Sequence, residues 1–189
     1  MRESDIKDTV TKDPLLRRLG ANMLRNKGKN PNQIAAIKAR LGSLAKLLLC
    51  VRQKVDGGGH LTLEMILRPR YFDVIIASVK HVCAWELGDE LNPPQFEVPS
   101  LALKLGHALK KAAELAVSNG IKEDRAADVG ELSAYLTLHT NEWGDAVSHA
   151  ALTTMDLRKM NSVDSLPLTE DMITLSTETK KKSKRWSGH

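Results

Sequence analysis

Aromatic side chains are scarce in this chain: two Phe, two Tyr and three Trp make up only 4% of its 189 residues. A core must therefore be assembled from aliphatic side chains. Apolar residues, at 42% of the total, suffice for one. This balance favours helices packed on helices over a β-sandwich, which draws more heavily on Val, Thr and Tyr. Cysteine is rarer still. Cys50 and Cys83 both sit inside apolar runs and read as buried thiols, so there is no disulfide framework. The N-terminus carries no secretory apolar stretch, and no Asn-x-Ser/Thr sequon occurs. No apolar run approaches the roughly 20 residues that span a bilayer. These absences lead us to expect an intracellular protein, reduced and without a membrane partner.

Catalytic patterns are also missing. The histidines are His60, His81, His107, His139, His149 and His189, and none pairs with another at three or four residues along a helix. His81 and Cys83 are close in sequence, but helical geometry points them apart, so the expected metal set is empty. Gly57-Gly58-Gly59 is followed by no Gly-Lys-Ser/Thr, so it reads as a loop and not a phosphate cradle. No Gly-x-Ser-x-Gly, Cys-x-x-Cys or paired-carboxylate pattern is present. We therefore expect no enzyme activity, no cofactor and no small-molecule ligand.

One sign of charge is absent over a long stretch. Residues 14–55 contain no acid and ten bases: Arg17, Arg18, Arg25, Lys27, Lys29, Lys38, Arg40, Lys46, Arg52 and Lys54. The preceding 13 residues carry a net −1, residues 56–179 a net −9, and residues 180–189 a net +5. Two readings compete. Either the acidic body folds over the basic helices and neutralises them, or the basic face stays open to a polyanion, most plausibly nucleic acid.

Periodicity predicts an all-α fold, a compact bundle of about five to seven helices over residues 13–178. Residues 1–12 are expected to be a flexible N-terminus and residues 179–189 a disordered basic tail. Asp13-Pro14 reads as an N-cap with Pro at the first helical position. Asn30-Pro31-Asn32-Gln33 is a stronger start signal of the same kind, and Ile34, Ile37, Leu41, Leu44, Leu48, Val51 and Val55 follow at helical spacing. A short helix capped by Thr62 is expected next, then a longer one opened by Pro69. Gly88–Pro99 reads as a Pro-rich connector, Pro99 as the start of another helix, and Ser118-Asn119-Gly120 as its stop. Two more helices are expected at roughly 124–139 and 141–160, with Leu132, Tyr135, Trp143, Val147 and Leu157 facing inward, and a last short one near Met172. Lys180, Lys181, Lys182, Lys184 and Arg185 resemble a nuclear-import signal, which favours a nuclear over a cytoplasmic location.

Several segments carry a family likeness: Ile37–Leu49, Tyr71–Ile75, Pro99–His107, Trp143 with Ala150, and Leu166–Asp171. Together they span most of residues 13–175, and Pro99–His107 is the most specific. The chain resembles a largely uncharacterised family of animal proteins, common in fish and invertebrates, related to tyrosine recombinases. The resemblance implies a helical N-terminal, core-binding part, which in recombinases clamps one face of a DNA duplex. The catalytic part, with its His-x-x-Arg motif and nucleophilic Tyr, has no counterpart here. No His has Arg three residues on, and Tyr71 and Tyr135 fall in core patterns.

The function expected from the sequence is thus a non-catalytic DNA-binding domain. Arg17, Arg18, Lys38, Arg40, Lys46, Arg52 and Lys54 would contact phosphates, giving weak, salt-dependent and largely sequence-independent binding. The alternatives are a helical protein–protein interaction module, or a truncated recombinase-like protein lacking its catalytic domain.

Overall fold

The computed structural model of the chain describes residues 2–27, 30–88 and 94–162. The chain divides into two units at Met155–Asp156. Within the described part of the second unit, 156–162, Lys159 pairs with Asp156 at 3.5 Å, and Leu157 is exposed where the sequence placed it inward. The expected helix near Met172, the basic tail and the import-like run Lys180–Arg185 lie outside the described residues.

The first unit is an all-α bundle. Its helices are α1 (Glu3–Lys12), α2 (Pro14–Lys27), α3 (Pro31–Lys54), the single-turn α4 (Leu63–Ile66), α5 (Phe72–Val82), α6 (Pro99–Lys122) and α7 (Ala126–Trp143). The last helix, α8 (His149–Ser162), begins in this unit. α3 is the central element and packs against α1, α2, α5 and α6. Its C-terminal half is enclosed on nearly every side, with Leu44, Ala45, Leu47, Leu48, Cys50 and Val51 all buried. Its start follows the sequence signal: Asn30 accepts a hydrogen bond from Asn32 N–H at 2.9 Å, and Pro31 occupies the first position.

The N-terminus departs from expectation. Residues 1–12 were read as flexible, but Glu3–Lys12 is helical. The reason is tertiary: Ile6 and Val10, one turn apart, pack on the common core, and α1 lies along α3. Only Asp13 separates α1 from α2, and it is buried. Its Oδ1 accepts from Leu16 N–H at 2.9 Å, capping α2. Its Oδ2 accepts from Leu63 N–H at 2.7 Å, which ties the start of α4 to the same point.

Three further departures share a cause in long-range packing. A two-residue antiparallel ribbon pairs β1 (Trp85–Glu86), just before the expected Gly88–Pro99 connector, with β2 (Gln95–Phe96), inside it. Trp85 and Phe96 are directly opposed, with ring centroids 4.5 Å apart. α6 runs through the expected stop at Ser118–Gly120. Gly120 is buried inside the helix, where an added Cβ would meet Val129 of α7 at 2.7 Å, and the chain reverses instead at Asp124, with φ +55°. α7 does not end near residue 139. It passes through a wide π turn, Gly144–Ser148, directly into α8.

α6 and α7 pack closely at Gly106. A Cβ on Gly106 would lie 2.4 Å from Trp143 Nε1, so only glycine allows this spacing. Tyr135, His139 and Trp143, four residues apart on α7, form an aromatic column. His139 and Trp143 stack at 4.7 Å and 10°, and Phe72 of α5 meets Tyr135 edge-on at 5.8 Å.

Candidate polyanion-binding surface

The seven basic residues singled out in the sequence do not share one face. α3 turns by about 100° per residue, so its cations are spread around the axis by their spacing alone. Lys38 and Lys46 lie on its exposed outer side, and Lys54 is exposed at its end. Arg40, two residues from Lys38, points the other way and lines a groove between α3 and α6. Arg52 is half-buried, and its Nε–H donates to Leu61 O at 2.8 Å, closing the glycine loop that follows α3. That contact gives Arg52 a structural task. Arg17 and Arg18 are exposed on α2, along a separate groove of about 780 Å³ floored by Leu16, Leu41 and neighbouring residues.

The competing idea, that the acidic body neutralises these cations, can be tested pair by pair. Among the described residues, one ion pair joins residues 14–55 to the body: Arg18 Nη1 with Glu123 Oε1 at 2.8 Å, both side chains about half exposed. The remaining body carboxylates that pair across helices do so with the body's own arginines. Arg68 holds Glu131 at 2.6 Å and also Asp128. Arg125 holds Glu64 at 2.6 Å, Asp128 at 2.8 Å and Glu123 at 3.0 Å. These bonds have consistent electrostatic effects. The Arg68 and then the Arg125 guanidinium hold the Asp128 carboxyl below its usual range, and Arg18 does the same for Glu123. Arg17, Lys38, Arg40, Lys46 and Lys54 form no ion pair with another described residue. Among the described residues, Glu64, Glu123, Asp128 and Glu131 of the body are thus engaged by Arg68 and Arg125, and these five cations have no carboxylate within ion-pair distance.

The groove holding Arg40 contains residues the sequence reasoning missed. It has a volume of about 420 Å³ and lies between α3 and the N-terminal half of α6. Ala36, Ala39 and Ala108 keep it open, and Lys104 stands on the α6 side opposite Arg40. The faint signal in the sequence was the start of α6, Pro99-Ser100, with no acid in its first turn and a lysine one turn further on.

The remaining titratable groups behave as core or surface. His139 is buried: burial lowers its pKa, and its Nε2 lies 3.1 Å from Gly106 O. Burial pushes the Cys83 thiol up to about 12 and the Tyr135 phenol above its normal value. Neither group is poised for nucleophilic chemistry. Among the described residues no cluster of three or more His, Cys, Asp or Glu side chains is placed to hold a metal ion, and no helix is long and apolar enough to cross a membrane. No family model, curated protein or solved structure matches the chain.

Proposed function

We propose that the chain is a non-catalytic helical domain that binds nucleic acid through the open cations of α2 and α3. Arg17, Lys38, Arg40, Lys46 and Lys54 make the phosphate contacts, and Arg18 and Arg52 contribute less because each already has a partner. The observation that carries this reading is the segregation of charge: five cations on one segment that form no ion pair with another described residue, beside a body whose acids are partly satisfied by its own arginines. The likeness to the core-binding part of tyrosine recombinases supports the same reading, as does the import-like run Lys180–Arg185, which would bring the protein to the nucleus. Cations dispersed over several sides suit backbone contacts and not base reading, so binding is expected to be weak and nearly sequence-independent.

A titration of labelled duplex DNA at rising salt tests this. The logarithm of affinity falls with the logarithm of salt by about 0.9 per phosphate neutralised, so the slope counts the cations that one duplex meets at once and stays shallower than the about −4.5 of all five. A flat salt dependence, or no binding at low salt, refutes the proposal. A second reading, a protein-interaction module, rests on the roughly 780 Å³ groove beside α2, where Leu24 is exposed. It predicts that replacing Leu24 with a polar residue leaves DNA affinity unchanged.

A further inference from the structure

We infer that the groove between α3 and α6 is a discrete binding site for a phosphoester, with Arg40 and Lys104 as its two cationic walls. Two cations from different helices border one concavity, and neither forms an ion pair with a described residue. Among the described residues, no acidic side chain lines it. Concave, low-dielectric walls focus the field of such charges, so an anion gains more here than on an open face. The start of α6 adds to this field. Its first turn holds no acid, Val98 supplies no side-chain cap, and Ser100 N–H has no acceptor within the helix, whereas Leu101 and Ala102 N–H both turn to Val98 O.

The groove also has a second chemical character. Ser43 donates its hydroxyl hydrogen to Ala39 O at 2.9 Å, which leaves its oxygen as an acceptor for a ligand hydroxyl. Alanines together with Leu101 and Leu105 supply an apolar lining, and about 420 Å³ accommodates more than a bare phosphate. The combination fits a phosphate joined to a hydroxylated, partly apolar body, such as a sugar phosphate or nucleotide unit. The source can be a nucleic-acid strand or a free phosphorylated metabolite. The first rests on the function proposed above, and the second does not.

The test uses the full chain and four proteins: wild type, R40Q, K104Q and, as a cation outside the groove, K46Q. Binding of a short single-stranded oligonucleotide, of a nucleoside monophosphate and of inorganic phosphate is followed by fluorescence and NMR, with thermal melts to confirm folding. The expected result is an affinity loss of about tenfold for both groove variants toward the oligonucleotide, with smaller loss for K46Q. Mononucleotide binding that depends on Lys104, without oligonucleotide binding, also supports the groove and points to a free phosphoester, while overturning the nucleic-acid reading. Oligonucleotide binding that K104Q leaves unchanged, with no Lys104-dependent mononucleotide binding, overturns the groove and leaves the nucleic-acid reading standing. Absence of binding by every probe overturns both.

Discussion

Replacing Asp13 should destabilise the bundle more than any surface change of similar size. Its carboxylate is 3% exposed and accepts from two backbone donors, Leu16 N–H at 2.9 Å and Leu63 N–H at 2.7 Å. Leu16 and Leu63 are themselves fully buried, so water cannot replace a lost acceptor without entering the core. D13A removes an N-cap, at about 1 kcal/mol, and leaves a second buried donor unsatisfied, at about 1–3 kcal/mol. The expected loss is about 3 kcal/mol, or a fall in Tm of roughly 6–12 °C for a chain of this size. D13S separates the two effects: its short hydroxyl caps α2 but does not reach Leu63, so about half the loss remains. Urea unfolding followed by far-UV circular dichroism measures both, and an unchanged m-value shows that the same surface is exposed on unfolding. A D13A protein within about 0.5 kcal/mol of wild type refutes the reasoning, because that is the range of substitutions that touch nothing.

Two further outcomes follow from the packing of α6 on α7. G106A places a Cβ 2.4 Å from Trp143 Nε1 and should cost about 1–3 kcal/mol through forced separation of the helices, seen as a lower urea midpoint; a midpoint equal to wild type contradicts the close approach. His139 has its folded-state pKa lowered, first by burial and then by Lys110 and His107, against the opposing bond to Gly106 O. Its contribution is therefore present above the unfolded value near 6.5 and is lost as pH falls from there through the lower folded-state value. H139F, which keeps a ring against Trp143 but cannot titrate, should flatten the stability profile below about pH 6.5, and an unchanged profile places the titration elsewhere.

Much of the helical framework was legible because its signals are local. Asn30-Pro31, Thr62 and Pro99 each mark a helix start that depends on the few residues around it, and all three appear in the fold. What was missed depends on contacts distant in sequence. Residues 3–12 look too polar to fold, yet Ile6 and Val10 suffice once α3 offers a surface for them. Ser118-Asn119-Gly120 has the composition of a stop, but Gly120 serves to admit Val129. The candidate surface divides in the same way. That Lys38 and Lys46 lie off the apolar stripe could be read from spacing. That Arg40 and Lys104 border one groove could not, since this arises from the packing of α3 on α6, more than 60 residues apart.

The π turn at Gly144–Ser148 amounts to a one-residue insertion absorbed inside a helix instead of in a loop. Deleting one residue there would restore a regular α-helix from Ala126 onward without breaking the chain's course. Were the same residues instead to take up regular α geometry, every side chain from His149 to Met155 would swing about 100° around the axis. Thr154, which is buried and whose hydroxyl accepts from Phe96 N–H at 3.3 Å, would leave the ribbon it now supports. The wide turn therefore sets the rotational phase in which α8 starts, and it lets the helix carry one residue more while Thr154 still meets β2.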